Sequence, residues 1–104
     1  FLQESLKEGK LAFDGIFCVT DKLAFDIIKA LRRMGQRVPE DVQVIGYDGL
    51  RMFGDSDYYC STIVQPVEAM AETCVNLVLD ESAVNVPSLL CLPVSYAYGG
   101  TTKA

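Results

Sequence analysis

The chain has 104 residues, of which half are apolar, and its fourteen acidic and nine basic residues give a formal net charge of −5. This size and composition suit one domain with a hydrophobic core, while the lack of clustered positive charge makes the chain a poor nucleic-acid binder by itself. No apolar run approaches the roughly 18 to 20 residues of a membrane helix, so we expect a cytoplasmic protein. The missing initial methionine suggests a piece of a longer protein.

Cysteine and histidine usage limits the chemistry that the chain can perform. The four cysteines are widely spaced without a C-x-x-C pair, which favours unpaired, buried or half-buried thiols over zinc or redox sites. There is no histidine, which excludes serine–histidine and cysteine–histidine catalysis. No phosphate-binding glycine motif occurs, and the glycines at 99–100 are interpreted as a terminal turn. We therefore expect no catalytic residue, no metal and no cofactor. The cysteines are Cys18, Cys60, Cys74 and Cys91.

The N-terminal residues predict a helix followed by a buried strand. Residues 1–10 show a loosely helical spacing of apolar side chains and end near Gly9, the predicted C-cap. The run 16–19 is apolar on both faces, which is typical of a buried parallel strand. Asp21 follows as the predicted N-cap of the next helix. Because ligands of open α/β sheets bind beyond the carboxyl ends of the strands, Asp21 is predicted to lie at a binding edge.

The next segment predicts a helix and a second parallel strand. Apolar side chains recur at helical intervals over residues 22–34, and Gly35 follows as a stop signal. After a turn, the apolar strand 42–47 ends at Asp48. Strand, helix and strand within about 35 residues form a βαβ unit whose strands are parallel. Asp21 and Asp48 are therefore predicted to be neighbours along one edge of the sheet.

Three interpretations of this pair of aspartates remain open. Asp21 can serve only as a helix cap. The two carboxylates can instead bind a polyol, because an ionised aspartate accepts hydrogen bonds from adjacent hydroxyl groups. They can also form an acid/base pair of the kind that glycoside hydrolysis requires. The catalytic interpretation is the weakest, since neither a nucleophile nor a metal cluster accompanies the carboxylates.

An irregular connection is predicted after the second strand. Residues 49–59 show no clear period and are rich in glycine, aspartate and serine. Aromatic side chains in or beside this connection either stack on a sugar ring or a base, or cover the end of the sheet. These aromatic residues are Tyr47, Phe53, Tyr58 and Tyr59.

The rest of the chain predicts a strand, a helix and an edge strand. Residues 61–65 are β-branched and form the strand, and residues 66–79 form a helix with Pro66 in its first turn. A loop at 80–88 leads to the β segment 89–98, which its proline makes an edge strand or a bulge. One stripe of the helix is assigned to the core. The stripe consists of Val67, Met70, Ala71, Cys74, Val75 and Val78.

Four runs of sequence, read in order, carry a family resemblance. They are the strand–helix junction at Asp21, RVPEDVQVIGYDG at 37–49, STIVQP at 61–66 and GGTT at 99–102. In these runs the chain resembles the LacI/GalR family of bacterial transcription repressors. Within that family it is most similar to the sugar-operon repressors, and the specific type that we expect is a sucrose-type regulator. The resemblance implies an α/β, two-lobed, periplasmic-binding-protein-like fold, of which this chain is a parallel-sheet fragment.

The resemblance also implies how the chain divides between the lobes. Residues 1–48 would belong to the C-terminal lobe, residues 49–88 to the N-terminal lobe, and residues 89–104 would cross back. The helix-turn-helix of the family precedes this part, so operator DNA would be bound only through an N-terminal domain. Residues of the 22–34 helix would contribute to a homodimer, and a lone fragment could exchange the segment 61–98.

The function implied by the resemblance is the sensing of a small sugar in a cleft between the lobes. Asp21 would accept hydrogen bonds from the sugar hydroxyls, flanked by Thr20 and Lys22, with Asp48 on the same edge. The family often has Asn or Gly where this chain has Thr20. The alternative function is that of a sugar-binding protein of a transport system, against which the free cysteines and the absence of an export signal count.

Overall fold

A computed structural model of the chain describes residues 1–50, 60–80 and 89–103. Its main feature is a four-stranded sheet in the order β3–β4–β5–β6, in which the first three strands are parallel and β6 is antiparallel to β5. A separate two-stranded hairpin joins β1 and β2. The elements are α1 (Leu2–Ser5), β1 (Leu6–Lys7), β2 (Lys10–Leu11), β3 (Gly15–Phe17), α2 (Asp21–Arg33), β4 (Gln43–Asp48), β5 (Ser61–Val64), α3 (Val67–Leu79) and β6 (Ser95–Ala97).

The N-terminal helix is shorter than predicted, and Gly9 is not its C-cap. The helix ends at Ser5, and the chain then forms the β1–β2 hairpin. Glu8 and Gly9 are the two turn residues, with φ angles of 53° and 75°. A two-residue hairpin turn of this kind requires positive φ at both positions, which is why glycine is favoured there. Gly9 therefore marks a tight turn between two strands and not the end of a helix.

The βαβ unit is confirmed, with one correction at its helix cap. Strands β3 and β4 are parallel, with Phe17 opposite Ile45. The N-cap of α2 is Thr20, whose Oγ1 accepts a hydrogen bond from the Leu23 N–H at 3.2 Å. The prediction that Asp21 is the cap is therefore wrong, because Asp21 is the first helical residue and its side chain points elsewhere.

The core lies between one face of the sheet and helix α2. Its buried apolar residues are Cys18, Ala24, Phe25, Ile28, Leu31, Val42, Val44 and Cys60. The opposite face of β3 is open, since Phe17 and Val19 are 60% and 67% exposed. The prediction that the run 16–19 is buried on both faces is therefore wrong for this chain, because within the described residues the core lies on only one face of the sheet.

The predicted strand 61–65 is confirmed as β5, whereas the predicted β segment 89–98 forms a strand only over the three residues of β6. β5 pairs with β4, so residues 61–64 continue the sheet of the βαβ unit. The division of the chain between two lobes, with residues 49–88 in the N-terminal lobe, stays a prediction. β6 occupies the other edge of the described sheet, in agreement with the position of Pro93 just before it.

Helix α3 has the predicted length but not the predicted burial. It begins at Val67, directly after Pro66, and none of its residues is buried. The assignment of its apolar stripe to the core is therefore wrong for this chain, since Val78 is 83% and Val67 is 64% exposed. No helix within the described ranges is long and apolar enough to cross a membrane. Residues 51–59 and 81–88 lie outside the described residues. They make up most of the predicted connection 49–59, with the aromatic residues Phe53, Tyr58 and Tyr59, and most of the predicted loop 80–88.

Candidate functional site

The buried side chain of Asp21 lies beside the carboxyl half of β4 and the start of β5. This residue has no exposed surface. Its Oδ1 accepts hydrogen bonds from the Thr62 hydroxyl at 2.5 Å and from the Cys60 thiol at 3.8 Å, and its Oδ2 accepts one from the Leu50 N–H at 2.6 Å. A buried carboxylate is costly unless donors surround it. These three donors, two at the start of β5 and one just after the end of β4, satisfy the carboxylate of Asp21.

A glycine in β4 makes room for this carboxylate. Gly46 lies in register with Thr62 on the neighbouring strand. A Cβ at this position would overlap Asp21 Oδ1 and would lie 3.3 Å from the Ala24 Cβ. Any residue larger than glycine would therefore push the first turn of α2 away from the sheet. Helix α2 approaches β4 closely because Gly46 lacks a side chain.

The thiol beside Asp21 is held in its neutral form. Burial, followed by the negative charge of Asp21 and the hydrogen bond to it, raises the pKa of Cys60 to about 12. Burial also raises the pKa of Cys18, on the end of β3. A protonated Cys60 can donate its hydrogen to Asp21, whereas a thiolate would repel the carboxylate. Cys60 is thus a structural donor. The expectation that the cysteines are buried or half-buried holds for Cys18 and Cys60 and is wrong for Cys74 and Cys91, which are exposed.

Asp48 ends β4 in an unusual backbone conformation. Its φ angle is 115°, and Gly49 follows with a φ of 80°. Non-glycine residues rarely adopt such angles, and those that do are concentrated at functional sites. The Asp48 side chain is half-buried, and its Oδ1 accepts a hydrogen bond from Gln65 Nε2 at 2.6 Å. The Gly49 N–H donates to the Thr62 hydroxyl at 3.3 Å.

The four predicted effector residues lie at the same end of the sheet but in different environments. Asp21 points inward, while Asp48 remains partly accessible. Thr20 is half-buried and its hydroxyl accepts the capping hydrogen bond, and Lys22 is exposed. The structure thus confirms the shared edge of Asp21 and Asp48. Contact between any of these residues and an effector stays a prediction.

Sequence reasoning missed three residues of this edge. Thr62 bridges the turn after β4 to Asp21, Cys60 donates to Asp21, and Gln65 holds Asp48. Two of the three lie in the STIVQP run that carried the family resemblance, where only a strand and a helix start were assigned to them. A short polar residue on the buried face of a central strand was the signal that could have identified Thr62.

The C-terminal segment closes the amino end of β4. Thr101, which is 2% exposed, donates its hydroxyl hydrogen to the Val44 carbonyl at 2.7 Å and accepts the Ser61 N–H at 2.8 Å. The Thr101 carbonyl in turn accepts the Val44 N–H at 2.8 Å. The Ser61 hydroxyl reaches Thr102 Oγ1 at 2.7 Å. The predicted terminal turn therefore joins β4 to β5 through hydrogen bonds of Thr101 and Thr102, and we call this contact the Thr101 clasp.

A groove of about 590 Å³ lies at the opposite end of the molecule, between the β1–β2 hairpin and the turn after α2. Gln36 Nε2 spans it with a hydrogen bond to the Gly9 carbonyl at 3.1 Å. None of the four predicted effector residues lines this groove. Within residues 1–50, 60–80 and 89–103, no three histidine, cysteine, aspartate or glutamate side chains form a group suited to a metal ion.

Comparison with known proteins identifies relatives over nearly the whole chain. The sucrose operon repressor of Pediococcus pentosaceus is 30% identical over 92 residues, which is 86% of this chain and 28% of that protein. A crystal structure of a LacI family regulator from Enterococcus faecalis V583 with bound ribose is 30% identical and has a TM-score of 0.75. The alignment covers 97% of this chain and 38% of that one.

A third comparison is the structure of the dimeric Lac repressor with an 11-residue C-terminal deletion, at 29% identity and a TM-score of 0.75, covering 99% of this chain and 39% of that one. The chain thus spans well under half the length of these relatives, which are transcription regulators and not enzymes. Residues 3–102 match the family described as periplasmic binding protein-like domain. The chain therefore belongs to the periplasmic binding protein-like domain family, and its relatives there include LacI-family transcription regulators.

Proposed function

We propose that this chain is the sugar-sensing part of a LacI-type transcription regulator, in which a small sugar bound in a cleft between lobes controls binding to operator DNA. The observation that carries the proposal is Asp48, a half-buried carboxylate at the carboxyl end of a parallel strand in a strained backbone conformation. Ligands of open α/β sheets bind at this end of the strands. The relative that contains ribose supports a sugar as the ligand.

The chemistry of Asp48 suits a polyol. An ionised carboxylate offers about four acceptor positions and no donor. Gln65 Nε2 occupies one position on Oδ1 at 2.6 Å and restrains the side chain. Vicinal hydroxyl groups of a sugar can donate to the remaining positions, and a ligand without those hydroxyls would leave the carboxylate without partners. Thr20, Lys22 and Asp21 are kept as effector residues in the proposal because they lie at the same end of the sheet.

The proposal includes two partners besides the sugar. Operator DNA would be bound by residues outside this chain, because the chain itself has a net charge of −5 and is a poor binder of DNA phosphates. A homodimer is proposed because one of the structural relatives is a dimeric repressor and because Leu23 on α2 is 43% exposed. A transport protein is the weaker alternative, because the relatives described above are regulators.

The test is Asp48→Asn in the full-length regulator that contains this chain. Each hydrogen bond to a charged group contributes about 1.5–3 kcal/mol, so we expect sugar affinity to fall about 10- to 150-fold. Calorimetric titration with a panel of mono- and disaccharides that includes ribose and sucrose measures the affinity. Asp14→Asn is the matched control, since Asp14 is exposed and precedes β3 at the opposite end of the sheet. Unchanged affinity of Asp48→Asn would remove Asp48 from the site.

A further inference from the structure

The carboxyl end of the sheet carries more negative than positive charge. The segments that follow β3, β4 and β5 at this end contain three carboxylates and one cation, which leaves a net charge of −2. These charged residues are Asp21, Lys22, Asp48 and Glu68. Neither Asp21 nor Asp48 forms an ion pair with a side chain that the structure describes. The negative charge of this edge is therefore not cancelled by a bound cationic side chain.

The thiol next to Asp21 reports the effect of this negative charge. Burial raises the pKa of Cys60 to about 12, and the charge of Asp21 and the hydrogen bond to it act in the same direction. The Coulomb interaction that opposes a thiolate here opposes any second anion, whichever group carries the charge. A ligand with a phosphate or carboxylate group would therefore meet the same repulsion at this edge.

The backbone donors that could hold an anion at this edge already have partners. Proteins commonly bind phosphate through N–H groups of tight turns and helix N-termini. In the turn after β4, the Leu50 N–H donates to Asp21 Oδ2 at 2.6 Å. The Gly49 N–H donates to the Thr62 hydroxyl at 3.3 Å. The first turns of α2 and α3 each contain an acidic residue, Asp21 and Glu68, which opposes an anion at either helix N-terminus.

We propose that the site at Asp48 selects uncharged sugars and rejects sugars that carry a phosphate or a carboxylate group. This inference rests on the proposed function and names the class of sugar that the proposed function leaves open. The hydroxyl groups of a neutral sugar can donate to Asp48, whereas a phosphate group at neutral pH brings further acceptors and a charge of about −1.5 to −2. The charge and the hydrogen-bonding groups of this edge therefore both favour the neutral ligand.

The first measurement compares ligands that differ in charge but little in shape. The full-length regulator is titrated by calorimetry with three pairs: glucose and glucuronate, ribose and ribose 5-phosphate, and sucrose and sucrose 6-phosphate. In every pair that binds, we expect the neutral member to bind at least about tenfold more tightly, because juxtaposed like charges are strongly unfavourable. Glucuronamide is the control for size, and it should bind more tightly than glucuronate. Equal or tighter binding of the anionic members would overturn the inference.

The salt dependence of binding separates repulsion from a steric clash. Between about 20 and about 500 mM salt the Debye length falls from about 20 Å to about 4 Å. The ratio of the two affinities in each pair should therefore narrow by at least about twofold as salt is added, while the affinity of the neutral member stays constant. A ratio that does not change with salt would mean that size and not charge excludes the anionic member, and the inference would fail.

A charge reversal at the edge of the site tests the residues themselves. Glu68 is exposed and lies three positions after Gln65, whose side chain donates to Asp48. In low salt, Glu68→Lys should bring the two affinities of each pair about three- to tenfold closer by strengthening the anionic member. Glu68→Gln should have a smaller effect in the same direction. Glu40→Lys is the control, since Glu40 is exposed and lines the groove at the opposite end of the molecule.

The outcomes distinguish this inference from the proposed function on which it rests. If Glu68→Lys and Glu68→Gln both leave the ratio at its wild-type value, the charge of this edge does not select the ligand and the inference is overturned. If only the anionic members of the pairs bind, the regulator still senses a sugar and the inference alone fails. If no member of any pair binds, the proposed function fails and the inference fails with it.

Discussion

Helices α2 and α3 have the same length, 13 residues each, but differ in how many of their side chains are buried. α2 buries five side chains against the sheet, and Leu31 among them is completely inaccessible. α3 buries none, although its sequence contains a continuous apolar stripe. The difference teaches that an amphipathic pattern identifies the face a helix can bury, whereas burial also requires a surface to pack against.

The comparison extends to the polar groups at the start of each helix. α2 begins with a side-chain cap from Thr20 and with the buried Asp21. α3 begins at Pro66, which provides no side-chain cap. One helix is therefore fixed at its N-terminus by hydrogen bonds to neighbouring strands. Within residues 1–50, 60–80 and 89–103, the start of the other helix is held by its backbone connection to β5 and by the Gln65 contacts to Asp48.

The largest expected difference between the two regions is in thiol reactivity. Cys60 is buried beside Asp21, and Cys74 on α3 is exposed. Because the pKa of Cys60 is raised to about 12, only about one thiol in ten thousand is ionised at pH 8, about a thousandfold less than for a free cysteine. In timed labelling with iodoacetamide, followed by mass spectrometry, Cys74 should be modified at least about a thousandfold faster than Cys60. Equal rates would mean that the site around Asp21 is open to solvent.

A matched pair of truncations probes packing in the two helices. Leu31→Ala removes a fully buried side chain from α2 and should lower the free energy of unfolding by about 2–5 kcal/mol. Val78→Ala acts at a position of α3 that is 83% exposed and should change it by less than about 0.5 kcal/mol. Urea denaturation of the 104-residue chain measures both. A large loss in Val78→Ala would show that α3 packs against a surface, for example in a self-associated chain.

A smaller effect is expected at the glycine beneath Asp21. Gly46→Ala places a methyl group against Asp21 Oδ1 and the Ala24 side chain, and should cost about 1–3 kcal/mol through overpacking. Gly15→Ala is the control, because a Cβ on β3 would meet no atom within 4 Å. Thermal unfolding should separate the two variants by several degrees. If they unfold together, the close approach of α2 to β4 is not required for stability.

The spacing of apolar residues, together with the glycine and proline residues at the ends of helices and strands, predicted most of the fold. The stop at Gly35, the parallel pairing of β3 with β4, and the strand before Pro66 follow from local rules, and the structure confirms them. The predicted edge shared by Asp21 and Asp48 follows from the same rules, since parallel strands end together. These features depend on residues near one another in sequence.

The features that sequence reasoning missed depend on contacts between distant segments. The direction of the Asp21 side chain is set by Gly46 and by donors about 40 residues away, which no local pattern encodes. The open face of β3 and the exposed α3 depend on what covers them, and a hydrophobic pattern does not carry that information. The turn at Gly9 was missed because the same residue serves helix ends and hairpins.

The Thr101 clasp has a consequence for the synthesis of the protein. Its hydrogen bond to Val44 joins residues 57 positions apart, and the bond to Ser61 spans 40 positions. At about 5–20 residues per second, a ribosome needs about 3–11 s to proceed from the first of these segments to the last. Until then the amino half of β4 has a hydrogen-bonding neighbour only on the β3 side. The nascent chain therefore passes through a period of seconds in which one edge of β4 is open to chaperones or to another copy of the chain.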